Sequence, residues 1–289
     1  MTYDVVIIGY GPAGVSASLY TLRASLKTLL VGKDYGALAK ADKIENYYGF
    51  ENPVGGKELV EKGLAQAKRL GAEIAEDEIC GIVMNADLTF TVKGVKSSYT
   101  AKTVVLATGA SRKKPKIDGL EKFEGSGVSY CAVCDAFFYR KKNVAVLGSA
   151  EYALSEVNEL LPVVNSVSVL TDGISPEVAF PENVKVYTQK IASLDGDDFL
   201  TSVKFADGET LSLDGLFVAQ GVAGSADLAR KAGLAVENDT VVGKDAVTNV
   251  PGIFVCGDCT GGFLQVAKAV SEGAVAGTKV ISFLRGKKV

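Results

Sequence analysis

Apolar residues run without interruption through Val5-Val6-Ile7-Ile8 and again through Leu29-Leu30-Val31. Runs this short and this continuous, bounded by turn residues, predict strands buried on both faces, here Tyr3 to Ile8 and Thr28 to Val31. Between them Val15 to Ser25 reads as a helix. Gly56 to Leu70 predicts a second helix with Leu59, Val60, Leu64, Ala67 and Leu70 on one face. Short strands are expected around Ile82, from Thr89 to Val92 and from Val104 to Ala107. The opening pattern then repeats, with a strand at Val144 to Leu147, a helix at Leu154 to Leu161 and a strand at Val167 to Leu170. Near the end, Thr248 to Gly252 is a turn, Ile253 to Cys256 a strand, and a last helix begins near Leu264.

The turn after the first strand is Gly9-Tyr10-Gly11-Pro12-Ala13-Gly14. Its glycines have separate duties: a tight turn at Gly9, close backbone approach to a pyrophosphate at Gly11, and close helix packing at Gly14. The phosphates would rest on the free N–H groups of the following helix. Asp34 follows the second strand, where an acid reaches an adenosine ribose. Strand, turn, helix, strand and acid together predict dinucleotide binding; a glycine turn between packed elements is the alternative. The repeat has Gly148-Ser149-Ala150, and a Cβ at Ala150 intrudes where a pyrophosphate would approach. Thr171-Asp172-Gly173 after its second strand offers no arginine for a 2′-phosphate, although Asp172 could accept from a ribose hydroxyl. The fold class is therefore α/β, with two Rossmann-like, doubly wound, three-layer domains, the second inserted in the first. Residues 1–111 with 244–289 form one domain and 112–243 the other, joined through the charged, proline-punctuated Ser111 to Pro115.

With 289 residues, 47% of them apolar, the chain can fill two cores. A net charge of -3 gives no reason to expect nucleic acid. The count of histidines is 0, which removes histidine triads and histidine bases. No apolar run approaches a membrane span, since the terminal helix carries Lys268, Glu272 and Lys279. The N-terminus lacks the basic start and cleavage site of a signal peptide, so a cytoplasmic location is expected.

Of the 5 cysteines, four stand in C-x-x-C pairs. In Tyr130-Cys131-Ala132-Val133-Cys134-Asp135 two thiols at redox spacing precede a carboxylate. At a helix start the positive end of the helix lowers a thiol pKa, and the adjacent acid can protonate a leaving sulfur. The same spacing is half of a zinc site, and Cys256 with Cys259 could supply the other half. Those two also bracket Gly257-Asp258, where they could simply be small residues in a packed loop.

These residues resemble the low-molecular-weight thioredoxin reductases along essentially the whole chain. The resemblance rests on Gly9-x-Gly11-x-x-Gly14, Glu45-Asn46-Tyr47-Tyr48-Gly49-Phe50, Ala107-Thr108-Gly109-Ala110, Val128 to Phe138, and Gly257-Asp258 with Gln265-Val266. It implies FAD held by Gly9, Gly11, Pro12, Ala13, Gly14, Asp34, Asn46, Thr108, Gly109, Gly257, Asp258, Gln265 and Val266, and no metal. It also implies that Cys134 faces the flavin, Cys131 exchanges with thioredoxin and Asp135 is the acid. A homodimer with two relative domain positions is expected, because the thiols must meet both the flavin and a protein partner. Hinges are expected near Ser111 to Lys116 and Val241 to Asp245.

The chain departs from that family in its second domain. Gly148-Ser149-Ala150 replaces the second glycine motif, the basic stretch that reads a 2′-phosphate is missing, and the helix expected before Pro181 is gone. In the stretch after Gly221 the family's proline is replaced by Gly224 and Ser225. The pattern is similar to the ferredoxin-dependent flavin thioredoxin reductases, which implies reduced ferredoxin as the donor. NADH-dependent reduction is one alternative. A dithiol oxidase using O2 is another, although such oxidases use a histidine that this chain lacks.

Overall fold

The computed structural model describes residues 1–110, 115–130, 132–220, 225–238 and 240–287, and of Val133 and Cys134 the backbone alone. The chain forms two compact units, Met1–Arg112 with Gly224–Val289, and Lys113–Ala223.

The first unit opens with β1 (Thr2–Ile8), α1 (Pro12–Arg23) and β2 (Thr28–Gly32). Helix α1 starts at Pro12, earlier than the apolar pattern suggested, because proline's fixed φ suits the first helical position. It stops at Arg23 because Ser25 has φ 63, outside helical values. Then come α2 (Gly56–Arg69), β3 (Glu73–Glu76), β4 (Ile79–Met84), β5 (Phe90–Gly94) and β6 (Ser98–Leu106).

The chain crosses into the second unit, which contains β7 (Val128–Ser129), α3 (Ala132–Asp135), β8 (Asn143–Leu147), α4 (Glu151–Leu160) and β9 (Ser166–Leu170). Next are β10 (Lys185–Tyr187), β11 (Ile191–Gly196), β12 (Leu200–Phe205), β13 (Thr210–Ser212) and β14 (Gly215–Val218). No helix lies between β9 and β10, as the shortened sequence there implied. Back in the first unit are α5 (Ser225–Lys231), β15 (Val236–Glu237), β16 (Thr240–Val241), β17 (Ile253–Val255) and α6 (Val266–Leu284).

In the first unit β3, β2, β1, β6 and β17 are parallel neighbours. The edge of β6 is shared, its first half pairing antiparallel with β5 and its last residues pairing with β17. Alternate residues enter opposite cores. Val5, Ile7, Leu30, Val105 and Phe254 pack with Ala13, Ala17, Ala276 and Val280 of α1 and α6. Val6, Ile8, Val31, Val104 and Leu106 pack with Ile82, Phe90 and Val92 of the β4–β5 hairpin and with Leu228 and Ala229 of α5. Burial on both faces is why these strands read as unbroken apolar runs.

The second unit has the same plan. A parallel sheet, β10-β9-β8-β14-β7, buries Val144, Val146 and Val169 against Ala153, Val157 and Leu160 of α4. Its other face buries Ala145, Leu147 and Leu170 against Leu194, Val203 and Phe205 of the antiparallel β11-β12-β13 sheet.

The return to the first unit differs from the expected boundary at 244. It occurs at Gly224, because Leu228, Ala229, Leu234 and Val241 are buried in the first unit's core. Val241 to Asp245 therefore lies inside that unit and not at a crossing. Of the residues expected at the first crossing, Ser111 to Lys116, those numbered 111–114 lie outside the described residues.

Candidate functional site

Strands β2, β1, β6 and β17 are parallel neighbours, so their C-terminal ends share one edge of the sheet, where open α/β sheets bind ligands. Beyond them come Asp34, the turn Gly9 to Gly14, Thr108 with Gly109, and Gly257 with Asp258. The structure thus gathers residues spread over the whole chain onto one edge.

The glycine turn has the three distinct environments its sequence implied. Gly9 has φ 101, and a Cβ there would be driven into the Ala107 carbonyl oxygen. A Cβ on Gly14 would strike the Gly9 carbonyl oxygen, so strand and helix are packed to backbone contact. At Gly11 a Cβ would meet nothing within 4 Å, and the same holds at Gly109. Gly11 is the N-cap of α1 and no side chain caps this helix, which leaves its first N–H groups available.

The loop after β17 is fastened by α6. Lys268 Nζ donates to the carbonyls of Gly257 at 2.9 Å and Gly261 at 2.6 Å, and to Thr260 Oγ1 at 2.9 Å. Glu272 Oε2 accepts from the Gly257 amide at 2.8 Å and lies 3.3 Å from Lys268 Nζ. Sequence reasoning used Lys268 and Glu272 only to exclude a membrane span; their i,i+4 spacing at the start of a helix was the available signal. Burial raises the Asp258 carboxyl above its ordinary value, Lys268 opposing the shift and Glu272 adding to it. Asp34 Oδ1 accepts from the Gly36 amide at 2.7 Å. Asn46 Nδ2 donates to Gln265 Oε1 at 2.9 Å, which brings Gln265 and neighbouring Val266, at the start of α6, beside the Asn46 loop.

Cys256 and Cys259 are free thiols, both fully buried. Cys259 Sγ donates to the carbonyls of Cys256 at 3.2 Å and Leu106 at 3.6 Å. Burial pushes the Cys259 thiol up to about 12 and that of Cys256 well above its ordinary value. Both thiols stay protonated at neutral pH, which suits packing and not thiolate chemistry. Among the described residues no group of three or more His, Cys, Asp or Glu side chains is placed to hold a metal, and no helix is long and apolar enough to cross a membrane.

In the second unit Cys131 lies outside the described residues, and Cys134 contributes its backbone to α3. Around them, Ser129 Oγ donates to Asp135 Oδ2 at 2.6 Å, fixing the carboxylate next to Cys134. Tyr152 OH donates to the Tyr130 carbonyl at 3.4 Å, and the Ala132 amide donates to Glu156 Oε2 at 2.8 Å.

A family model described as pyridine nucleotide-disulphide oxidoreductase matches residues 3–273. The chain belongs to this family. It is 34% identical to a thioredoxin reductase of Aquifex aeolicus, across 99% of this chain and 94% of that one. Among solved structures it is similar to the atypical thioredoxin reductase TRi from Desulfovibrio vulgaris Hildenborough, with 41% identity, TM-score 0.93 and 98% of each chain covered. It is also similar to a ferredoxin-flavin thioredoxin reductase from Clostridium acetobutylicum, with 32% identity, TM-score 0.73 and 99% of each chain covered.

As a member of the pyridine nucleotide-disulphide oxidoreductase family the chain is a flavoprotein oxidoreductase with FAD as cofactor. The first unit fits that group. Thr108 Oγ1 is buried without a hydrogen-bond partner among the described residues, a state costly enough to indicate a ligand atom as partner. A Cβ would find open space both at the adjacent Gly109 and at Gly11 of the glycine turn.

The second unit's turn has a different character from the first. Ala150 takes the N-cap position of α4, and Glu151 puts a negative charge in its first turn. The Glu177 amide donates to the Ser149 carbonyl at 2.7 Å, and Ser149 Oγ donates to Glu177 Oε1 at 3.2 Å. The segment after β9 therefore lies on the turn that would cradle phosphates and adds a carboxylate to it. Asp172, the residue available for a ribose, already accepts from the Ile191 amide at 2.8 Å and pairs with Lys190 at 3.4 Å.

Proposed function

We propose that this flavoprotein reduces thioredoxin through Cys131 and Cys134, and that its electrons come from reduced ferredoxin and not from a pyridine nucleotide. The observation that carries the choice of donor is the Glu177 segment hydrogen-bonded across the turn at Ser149. A dinucleotide needs that turn open and free of negative charge. The similarity to the ferredoxin-flavin thioredoxin reductase of Clostridium acetobutylicum supports the same donor.

FAD, when bound, supplies a ring that takes electrons singly or in pairs, which suits a one-electron donor and a two-electron disulfide. In this reading Gly11 and the amides of Ala13 and Gly14 would hold its pyrophosphate, with Gly9 and Pro12 shaping the turn. Asp34 would accept from a ribose hydroxyl. Thr108 Oγ1, Gly109, Asp258 with Gly257, Asn46, Gln265 and Val266 line the rest of the sheet edge.

The thiols then act as the family resemblance implies. Reduction of the Cys131–Cys134 disulfide breaks one S–S bond and takes up two electrons and two protons. The Cys131 thiolate attacks the thioredoxin disulfide, forming a mixed disulfide and releasing one thioredoxin sulfur. Cys134 then attacks Cys131, re-forming the internal disulfide and freeing the second sulfur. Asp135, oriented by Ser129, hands a proton to a leaving sulfur and recovers one from the attacking thiol.

The test is anaerobic bleaching of the flavin absorption band by separate donors. Reduced ferredoxin is expected to bleach it within the turnover time, whereas NADPH and NADH leave it oxidised. Fast bleaching by either nucleotide would overturn the choice of donor and leave thioredoxin reduction untouched.

A further inference from the structure

Helix α4 belongs to the repeat whose nucleotide turn is closed, yet it places two side chains on the thiol segment. Tyr152 and Glu156 stand one helical turn apart, so they share a face. Tyr152 is 2% exposed and Glu156 1%. Tyr152 OH donates to the Tyr130 carbonyl, and Glu156 Oε2 accepts from the Ala132 amide at 2.8 Å. Tyr130 and Ala132 are the residues just before and just after Cys131, so α4 grips the peptide on both sides of that cysteine.

A tyrosine hydroxyl alone would serve to position the peptide. A buried carboxylate is a more expensive choice, because a charge taken out of water is retained only with strong partners. The amide it accepts from belongs to the residue covalently next to Cys131, which brings its charge within electrostatic range of that cysteine. A nearby anion opposes a second negative charge, so it holds the thiol protonated, and a dithiol that ionises less readily is less stabilised relative to its disulfide.

We propose that α4 is the positioning helix of the thiol pair, and that the charge of Glu156 keeps the pair strongly reducing. This rests on the reading that Cys131 and Cys134 are the redox pair. The repeat would then have kept its helix for the thiols after its turn lost the nucleotide.

The experiment equilibrates the full-length flavoprotein with dithiothreitol buffers of graded oxidation, traps free thiols by alkylation and counts them by mass on the peptide holding Cys131 and Cys134. Glu156→Gln keeps an oxygen acceptor for the Ala132 amide and removes the charge. It is expected to shift the equilibrium constant about tenfold toward the dithiol, a rise of about 30 mV for this two-electron couple. Glu156→Ala should shift the equilibrium in the same direction and also lower kcat for thioredoxin, a loss that Gln restores. An equilibrium that Gln leaves unmoved, or moves toward the disulfide, overturns the proposal even if Ala fails to fold. If no couple titrates at these cysteines in the unaltered protein, the redox-pair reading falls first and this inference with it.

Discussion

Asn46 Nδ2 lies 2.9 Å from Gln265 Oε1, a bond between residues 219 positions apart in the chain. It ties the loop after β2 to the start of α6 across the sheet edge where the residues proposed to hold FAD gather. Both residues were singled out for FAD from the sequence, and here each orients the other. Gln265→Ala should therefore weaken FAD binding by about fivefold, the value of one net hydrogen bond of about 1 kcal/mol. Titrating the apoprotein with FAD and following the quenching of flavin fluorescence checks this; an unchanged Kd would take the pair out of the site.

Two glycines of one turn should fail in different ways. A Cβ at Gly11 meets nothing within 4 Å, whereas one at Gly14 is forced into the Gly9 carbonyl. Gly11→Val should leave the apoprotein's denaturant midpoint close to that of the unaltered chain while abolishing FAD retention on a desalting column. Gly14→Ala should lower stability by about 1 to 3 kcal/mol, the usual cost of overpacking, in the apoprotein as well. Equal destabilisation by both would mean that Gly11 is a packing residue and not a phosphate seat.

The buried thiol of Cys259 links stability to alkaline pH. Its folded pKa is pushed up to about 12 by burial, against an ordinary value of 9.0. Between those values the unfolded chain has released the proton and the folded chain has not, so the folded state binds more protons and stability falls as pH rises. Below the ordinary value the contribution is constant. Urea midpoints measured from neutral pH to above pH 10 should decline less steeply for Cys259→Ala than for the unaltered chain. Parallel slopes would show that this thiol does not drive the decline.

Much of this was legible because it is local. The alternation that sends Val5 and Ile7 to one core and Val6 and Ile8 to the other needs only consecutive residues, and Gly9, Gly11 and Gly14 predict a phosphate turn once the flanking strands, helix and acid are read with them. The contacts that finish the sites are long-range, and no pattern in one segment reports them. Lys268 and Glu272 served in the sequence only to exclude a membrane span, whereas in the fold they clamp the Gly257 loop to α6. Glu156 drew no notice in the sequence, although it is buried against the Ala132 amide. The return boundary was misplaced for a related reason: α5, β15 and β16 are too short for a clear period, and only the burial of Leu228 and Val241 reveals which core they join.

The two thiols should be separable by function, as the family resemblance implies. Cys131→Ser should leave a Cys134 thiolate against the flavin, seen as a long-wavelength charge-transfer band, and should trap no mixed disulfide with thioredoxin. Cys134→Ser should lack the band and accumulate the mixed disulfide through Cys131. Exchange of these behaviours between the variants would reverse the assignment. Asp135→Asn, still within reach of Ser129, should slow exchange by about tenfold or more without loosening FAD, as expected for loss of a proton donor.

For the proposed donor, ferredoxin, charge points to a landing place. Ferredoxins are usually acidic, and a chain of net charge -3 must gather positive charge locally to attract one. Two basic clusters flank the thiol segment in the sequence: Arg112, Lys113, Lys114 and Lys116, of which the first three lie outside the described residues, and Arg140, Lys141 and Lys142, which form an exposed cluster five residues and more past Asp135. Its cations are not simply solvated: Arg140 sits 4.6 Å from the ring centre of Phe137 and Lys142 5.4 Å from that of Tyr139. Aromatic contacts of this kind hold the charges in fixed directions, which helps them steer a partner. Replacing all three with Glu should slow flavin reduction by ferredoxin by about tenfold, chiefly through the association rate, and added salt should slow the unaltered chain in the same way. Stopped-flow measurements at several ionic strengths read both effects, with dithionite as the control donor. Equal slowing with dithionite would mean the fold was damaged, and no slowing with ferredoxin would place its docking surface elsewhere.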